Sequence, residues 1–418
     1  MPAECPSDEI GRRAPIAAYG DTRGRRPQPG NGTPAPSGPR QMRRSPDICH
    51  YARMGPWHAP ASSLELCGGE TGATGAHDAE VLSMDKRRLS DRALRAIAVA
   101  TATPTLAFAG YTAVSHLLFH RSNIATASEI YNRVTADKDK MGDPVAWDNY
   151  ILKHAETNET HYSVSPLMSF KVSVEDTTFQ GMQTFVLNRR AINDRAVLYI
   201  HGTAYVNQPT IYHWKFLDSV ARRTRAEVRV PLYPLAPVHT YAEAYDKIEA
   251  VYRDLLSKYG EGGVTIMGDT AGGGIAAGFC QRLPELGLPQ PARLILISPW
   301  VDASLHNPDL NAYQAVDPMY SLAGLRKIAH TWAKGTDVHD PMVSPINGQV
   351  RMLRNVYVYT GTREVFHPDA VLFAQRVRAT GIHTELVVGS GLNANYPLYP
   401  IPEGQRAIEQ ISTAISTD

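Results

Sequence analysis

The sequence predicts an α/β fold in which a mainly parallel central sheet is flanked by helices. Short β-prone apolar runs alternate with helical stretches from residue 196 to residue 416, and this alternation is typical of a parallel sheet wrapped by helices. In addition, the apolar run at 264–267 ends in the sequence Gly-Asp-Thr-Ala-Gly at 268–272 and continues into small residues. Glycines on both sides of such a turn indicate a sharp strand-to-helix connection where backbones crowd together.

The predicted elements follow one another in a regular order. The strands are short runs rich in Val, Ile, Leu and Tyr, which suit a buried pleated surface. The helices between them are longer and carry apolar residues at helical spacing. Strands are expected at 196–200, 226–230, 264–267, 293–297, 356–359 and 384–388, and helices at 212–223, 241–259, 273–286, 368–380 and 403–416; residues 120–175 are mixed and expected to be helical in part.

Composition excludes several classes of function. The 42 basic and 41 acidic side chains leave a formal net charge of +1, which gives no indication of a nucleic-acid partner. Three of the four cysteines (Cys5, Cys49 and Cys67) lie in the irregular N-terminal part, Cys280 lies alone on a predicted helix, and no C-x-x-C pair occurs. We therefore expect neither a disulfide framework nor a metal site, and no cofactor.

The N-terminal third differs from the rest of the chain. Residues 1–83 are rich in Pro, Gly, Ser and Arg, and this composition predicts disorder. Basic residues then follow Met84, and no charged residue occurs from Ala96 to Ser115. This pattern predicts a signal peptide or membrane anchor at 84–119, with an A-x-A cleavage site at 107–109, and hence a secreted or membrane-anchored protein. A start at Met84 would explain the unusual position; an amphipathic helix of a cytoplasmic protein is the alternative.

Six segments resemble the hormone-sensitive-lipase-like family of carboxylesterases and lipases. The turn at 268–272 resembles the G-x-S-x-G elbow that presents the nucleophilic serine in α/β-hydrolases, with threonine in its place. The resemblance extends from about residue 140 to about 415 and implies an α/β-hydrolase fold with a helical cap, formed by a single domain at 120–418. The other segments are HGTAY at 201–205, YPLAP at 233–237, SPWVD at 298–302, DPMVSP at 340–345 and GTRE at 361–364.

The resemblance also assigns the catalytic triad. Thr270 stands at the nucleophile position, Glu364 at the acid position, and Ala394 of the sequence GLNA at the histidine position. A hydroxyl is a weak nucleophile and needs an adjacent base, which histidine supplies while the acid orients it. Alanine cannot accept a proton, and loss of a triad histidine costs on the order of 10⁶ in turnover in a serine protease. We therefore expect little or no hydrolysis by the usual route.

The oxyanion hole implied by the resemblance is altered as well. Its donors would be the N–H groups of Gly202, Thr203 and Ala271. Thr203 replaces a glycine, and a β-branched residue resists the positive φ that glycine allows; losing one such donor costs about 10²–10³ in rate. Further pocket candidates are His201, Tyr205 and Asp269, while the aromatic residues Trp214, Tyr320 and Trp332 would line an acyl pocket or pack in the core.

Three functions remain open from the sequence. The first is an inactive or severely impaired esterase that still binds a small acyl-ester-like ligand. The second is an active carboxylesterase in which Thr270 uses a recruited base such as His367 or His383, or a water positioned by Glu364. The third is a ligand-binding or membrane-anchored interaction module, attached through residues 96–115. An imidazole within about 3.5 Å of the Thr270 hydroxyl would favour the second, because a general base must reach the proton that it removes.

Overall fold

The computed structural model describes residues 106–190 and 194–417. The predictions for residues 1–83 and for the first part of the signal-like segment, 84–105, lie outside these ranges. Residues 106–113 are helical and continue into a π-helical turn, Val114–Leu118. No helix within the described ranges is long and apolar enough to cross a bilayer.

The centre of the fold is an eight-stranded sheet in the order β1-β2-β4-β3-β5-β6-β7-β8. Strands β1 and β2 pair antiparallel, and β2 pairs antiparallel with β4. All the remaining neighbouring strands pair parallel. The mainly parallel sheet predicted from the sequence is therefore confirmed. The strands are β1 Val174–Phe179, β2 Met182–Leu187, β3 Ala196–Ile200, β4 Glu227–Pro231, β5 Val264–Asp269, β6 Arg293–Ile297, β7 Val356–Gly361 and β8 Thr384–Gly389.

Helices cover both faces of the sheet. Besides the helical residues 106–113, ten α-helices occur in the described part of the chain, and two hydrophobic clusters separate them into layers. One cluster joins α5, α6, α8 and α9 to one face, and the other joins α4 and α10 to the opposite face. The helices are α1 Asn123–Thr135, α2 Lys138–Gly142, α3 Pro144–Asn158, α4 Ile211–Thr224, α5 Tyr241–Tyr259, α6 Thr270–Arg282, α7 Leu310–Val316, α8 Leu322–Ala333, α9 His367–Ala379 and α10 Pro402–Ser416.

Local sequence signals explain where several helices begin. Ser122 caps α1, since its hydroxyl accepts from the Ala125 N–H at 3.1 Å. Asp143 caps α3 with Pro144 as the first helical residue, a position where the missing N–H of proline costs nothing. The helices α1 to α3 correspond to the part of residues 120–175 that was expected to be helical.

Two parts of the fold are absent from the sequence-based prediction. The hairpin of β1 and β2 was not predicted, because β1 is an edge strand whose sequence VEDTTF is largely polar and partly exposed. Its tight turn, Gln180-Gly181, has positive φ at both residues, as two-residue hairpins of this kind require. Helices α7 and α8 follow β6 and were likewise not predicted. They lie in the long connection between β6 and β7, where only short sequence motifs had been recognised.

Candidate active site

The segments that resemble the family's catalytic motifs all leave the sheet at the same edge. In the parallel register Ile200 pairs with Gly268, and Asp269 pairs with Ile297. Strands β3, β5 and β6 therefore end side by side, and the chain continues from them into the 201–205 loop, Thr270 and Ser298. Ligand sites of parallel α/β sheets lie at this carboxyl edge.

The elbow at Thr270 is a strained turn. Thr270 has φ of 47°, a left-handed conformation that is a genuine outlier for a β-branched residue. Glycine on either side is required by space, because a Cβ on Gly268 would lie 2.4 Å from the Gly272 carbonyl oxygen, and one on Gly272 would lie 2.0 Å from that of Ile200. The turn therefore keeps the geometry that presents a nucleophile, although its hydroxyl belongs to a fully buried threonine.

The Thr270 hydroxyl lies against the side-chain amide of Asn395. Asn395 Nδ2 donates to Thr270 Oγ1 at 2.8 Å, and Thr270 Oγ1 donates to Asn395 Oδ1 at 3.0 Å. Oδ2 of Asp269 is 3.4 Å from the same hydroxyl. Within the described ranges, no imidazole is a hydrogen-bond partner of Thr270 Oγ1.

Asp269 organises the loops around the elbow. Its Oδ1 accepts from the Tyr199 hydroxyl at 2.6 Å and from the Gly202 N–H at 2.8 Å, while Oδ2 accepts from Asn395 Nδ2 at 3.0 Å. Burial alone would raise the pKa of this carboxyl, but His213 and the Tyr199 hydrogen bond hold the pKa below its ordinary value. Asp269 is thus ionised, both of its carboxylate oxygens already accept hydrogen bonds, and it is a weak base.

His213 approaches the same carboxylate from α4. The Thr210 N–H donates to His213 Nδ1 at 3.1 Å, so Nδ1 is unprotonated and the proton is on Nε2. Nε2 then donates to Asp269 Oδ2 at 3.3 Å. This side chain caps the start of α4 and braces Asp269, so its proton points at the carboxylate rather than at Thr270.

Glu364 is connected to the elbow only indirectly. The Ser298 hydroxyl donates to Glu364 Oε2 at 2.7 Å and accepts from the backbone N–H of Asn395 at 2.9 Å. Burial raises the pKa of Glu364 to about 8, although the hydroxyls of Thr360 and Ser298 that donate to it act in the opposite direction. The carboxyl is therefore protonated at neutral pH, and it supports the 391–395 loop instead of orienting an imidazole.

The oxyanion-type loop retains an unusual backbone. Thr203, Ala204 and Tyr205 all have φ between 57° and 72°, so Thr203 adopts the left-handed conformation that its β-branched side chain disfavours. Its hydroxyl donates to the carbonyl oxygens of Gly202 and Asn207, which offsets part of that cost. Gly202 N–H, predicted as an oxyanion donor, is already bonded to Asp269.

The other two predicted oxyanion donors are placed at the edge of the same region. Ala271 N–H belongs to the first turn of α6, where N–H groups have no intrahelical acceptor. Thr203 lines the cavity described below. Their role as oxyanion donors stays a prediction.

The pocket candidates from the sequence are structural neighbours of the site. His201 Nδ1 lies 3.1 Å from the Gly202 carbonyl oxygen, its ring stacks on Tyr233, and burial lowers its pKa to about 3. Tyr205 stacks on Trp332 with ring centroids 4.5 Å apart. Of the aromatic residues considered, Tyr320 lines the cavity, whereas Trp214 packs against Phe185 at 4.8 Å.

The histidines considered as recruited bases lie elsewhere. His367 Nδ1 is 3.2 Å from Thr360 Oγ1, and the Thr360 hydroxyl donates to Glu364. In this series of hydrogen bonds, Glu364 stands between His367 and the elbow. His383 directly precedes β8, at the amino end of the strand, and its ring contacts Tyr357. Neither contact brings an imidazole to Thr270.

A cavity of about 380 Å³ opens beside the elbow. Its walls come from the N-terminal helices and from residues 203–213, 319–320 and 395–399, and they combine six aromatic side chains with polar ones. Asn395 and Thr203 line the cavity, whereas the buried Thr270 is not among its lining residues. The aromatic lining residues are Tyr131, Trp147, Tyr150, Tyr212, Tyr320 and Tyr399.

Three functional contacts were missed by the sequence reasoning. Asn395 was not among the residues predicted for the site, yet its side chain makes the contact to Thr270. Ser298 belongs to a recognised segment, and its position directly after β6 could have indicated that it faces the site. His213 could have been found as the third residue after Thr210, a spacing typical of a helix N-cap pair. Ala394 is fully buried, and its equivalence to the histidine position stays a prediction.

Comparison with known proteins agrees with this architecture. Residues 197–397 match the family described as alpha/beta hydrolase fold. An acetyl-hydrolase from Streptomyces hygroscopicus is 30% identical over 226 residues, which are 53% of this chain and 76% of that protein. A triacylglycerol lipase from Mycobacterium tuberculosis is 29% identical over 219 residues, 52% of this chain; the chain spans 44% of that relative's length.

A solved structure has the same fold over a larger share of the chain. The crystal structure of a Staphylococcus aureus protein assigned as an esterase has a TM-score of 0.64 and 33% sequence identity, and the match covers 69% of this chain and 96% of that one. The predicted α/β-hydrolase fold is therefore confirmed.

Proposed function

Because the chain belongs to the hormone-sensitive-lipase-like group of the α/β-hydrolase family, we propose that it binds an acyl-ester-like ligand without hydrolysing it through an acyl-enzyme. The observation that carries this proposal is the hydrogen bonding of the Thr270 hydroxyl to the Asn395 amide. An amide cannot take up a proton at neutral pH. The strained elbow is thus retained without the base that would activate its hydroxyl.

The cavity supports ligand binding in its own right. Its volume of about 380 Å³ suits a small acyl ester, and its walls combine aromatic rings with hydroxyl, amide and other polar side chains. One of its lining residues, Trp147, carries a buried indole N–H that has no partner within the described part of the chain. A carbonyl oxygen of a bound ester would satisfy such a donor.

An active enzyme with a recruited base is the weaker candidate. Asp269 Oδ2 is 3.4 Å from the Thr270 hydroxyl, and His213 donates to that oxygen. The order is then hydroxyl, carboxylate, imidazole, whereas a triad needs the imidazole beside the hydroxyl. The pKa of Asp269 is held below its ordinary value, so this carboxylate is a poor proton acceptor.

The experiment measures binding and turnover on the same protein. Calorimetric titration with ethyl butyrate is expected to give saturable binding, and p-nitrophenyl butyrate should be hydrolysed at the rate of the protein-free buffer. Tyr131→Ala should weaken binding, because Tyr131 lines the cavity, whereas Tyr313→Ala, outside that lining, is the matched control. Turnover at about 1–10³ per second would overturn the proposal, and so would the absence of saturable binding.

A further inference from the structure

Helix α1 has the reverse of the usual orientation of a surface helix, because large apolar side chains face solvent and polar side chains are buried. Ile124, Ile130, Tyr131 and Val134 are between 52% and 79% exposed. The buried side of the same helix carries the small Ala125 and the polar residues Thr126, Glu129 and Asn132. A surface helix normally directs its apolar face inward and its polar face to solvent. This orientation leaves large apolar side chains without a partner among the described residues.

Ionic contacts fix this orientation. Glu129 accepts from Arg133 at 2.7 Å and from Arg363 at 2.8 Å, and it also pairs with Arg121. Burial would raise the pKa of Glu129, but these guanidinium groups lower the pKa to about 2, so the carboxylate stays ionised. Arg363 belongs to the loop of Glu364, so α1 is tied to the catalytic edge by its polar side. The outward apolar face is therefore built into the fold.

A second apolar helical stretch lies beside α1. In residues 106–118 the side chains of Leu106, Phe108, Leu117 and Leu118 are each more than 60% exposed. The stretch is joined to α1 at Asn123, whose Nδ2 donates to Thr112 at 3.0 Å and whose carbonyl oxygen accepts from the Tyr111 hydroxyl. These four side chains and the four exposed ones of α1 are together called the outer apolar surface below.

We infer that the outer apolar surface docks the protein on a lipid surface. Residues 96–120 contain no Asp, Glu, Lys or Arg, so the uncharged run extends beyond the exposed stretch in the sequence. Exposed helices rich in Leu, Phe and Ile bury these side chains in the boundary of a bilayer. A protein partner would be expected to find polar groups at its rim for hydrogen bonds, and the outward side chains named here offer one hydroxyl, that of Tyr131.

The cavity lies next to this surface. Tyr131 is both 53% exposed on the outer apolar surface and part of the cavity wall. Thr135 and Ala136, at the end of α1, line the same cavity. A molecule leaving the lipid phase would thus reach the cavity without crossing bulk water. This last point rests on the proposed function, whereas the docking itself does not.

The test is flotation of the full chain with phosphatidylcholine vesicles. The unmodified protein should float with the vesicles at low and at high salt, because an apolar contact is not screened. Leu117→Glu combined with Val134→Glu should lower the bound fraction by about tenfold or more, since a charge on an inserted face is costly. Leu167→Glu is the matched control, because Leu167 is 84% exposed in the loop between α3 and β1.

Three outcomes would overturn the inference. In the first, the unmodified chain stays in the lipid-free fraction. In the second, the double variant floats as well as the unmodified chain. In the third, the unmodified chain is a dimer that does not bind vesicles, and the double substitution only makes it monomeric. Circular dichroism establishes that the variants are folded, which the exposure of both side chains favours. Ethyl butyrate titration without vesicles separates the two proposals, since the double variant should retain ligand binding even where lipid binding is lost.

Discussion

The side-chain amide of Asn395 hydrogen-bonds the Thr270 hydroxyl, with Nδ2 2.8 Å and Oδ1 3.0 Å from Oγ1. The same Nδ2 donates to Asp269 at 3.0 Å, so the amide closes a buried network around the elbow. In an active hydrolase the group beside this hydroxyl removes its proton. Here that group can only share hydrogen bonds.

Introducing an imidazole at this contact should create esterase activity. The double variant Thr270→Ser with Asn395→His is expected to hydrolyse p-nitrophenyl butyrate at least about 10³-fold faster than the unmodified protein, and either change alone should give less than about tenfold. Triad members act as a unit, so a serine without a base and a base without a serine both remain ineffective. The measurement is initial rate after subtraction of buffer hydrolysis, with folding verified by circular dichroism.

Placing the histidine at position 394 instead of position 395 tests which of the two residues faces Thr270. Thr270→Ser with Ala394→His corresponds to the family spacing, whereas Asn395 is the residue in contact with Thr270. The structure predicts that the Asn395→His pair is the more active one. Activity confined to the Ala394→His pair would contradict the role given to Asn395. Adding Thr203→Gly to the active pair should raise turnover further, because Thr203 has φ of 72° in the oxyanion loop.

The buried Glu364 should make stability fall with rising pH. Burial raises its folded pKa to about 8 from an ordinary value of 4.5. The folded state therefore holds a proton that the unfolded state has lost, so this contribution to stability is fully present below about pH 4.5 and is lost as pH rises towards 8. The loss amounts to at most about 1.4 kcal/mol per pH unit. Urea unfolding at a series of pH values should show a weaker decline for Glu364→Gln.

A matched variant controls for the removal of a carboxyl as such. Glu385 is exposed on β8, so Glu385→Gln should leave the pH profile of the unmodified protein unchanged. If Glu364→Gln shows the same profile as Glu385→Gln, Glu364 is ionised in the folded state at neutral pH.

Loss of Asp269 should destabilise the fold more than loss of any single partner. Asp269→Ala leaves the Gly202 N–H, the Tyr199 hydroxyl and the Asn395 amide without their acceptor. An unsatisfied buried group costs about 1–3 kcal/mol, so we expect a loss of about 3 kcal/mol or more in the free energy of unfolding. Tyr199→Phe should cost about 1 kcal/mol. Exposed Asp246→Ala, the control, should remain within about 0.5 kcal/mol.

The parallel part of the sheet and the elbow could be predicted because they leave strong local signals. Gly268 and Gly272 are required where backbones pass within contact distance, so the turn is visible in the sequence. The runs that form β3, β5, β6 and β7 are largely apolar because these strands lie between two layers of helices. The β1–β2 hairpin was not predictable in this way, since a polar edge strand resembles a loop.

The site itself depends on contacts distant in sequence. Asn395 and Thr270 are 125 residues apart, and Ser298 reaches Glu364 across 66. A motif gives the family position of a residue, but which of two adjacent side chains faces the hydroxyl is decided by backbone conformation. Asn395 has φ of 58°, a left-handed turn that the spacing of glycines alone does not indicate. The inverted orientation of α1 was hidden for a similar reason, because Glu129 is buried by arginines from other segments.

The most direct test of the central claim is the reactivity of Thr270 itself. The protein is incubated with a fluorophosphonate, which forms a covalent adduct with an activated hydroxyl nucleophile, and its intact mass is measured. The unmodified chain should show no adduct, while Thr270→Ser with Asn395→His should gain one phosphonyl group on residue 270. A stoichiometric adduct on Thr270 of the unmodified, folded protein would contradict the claim, because it would require a base at the hydroxyl that Asn395 cannot provide.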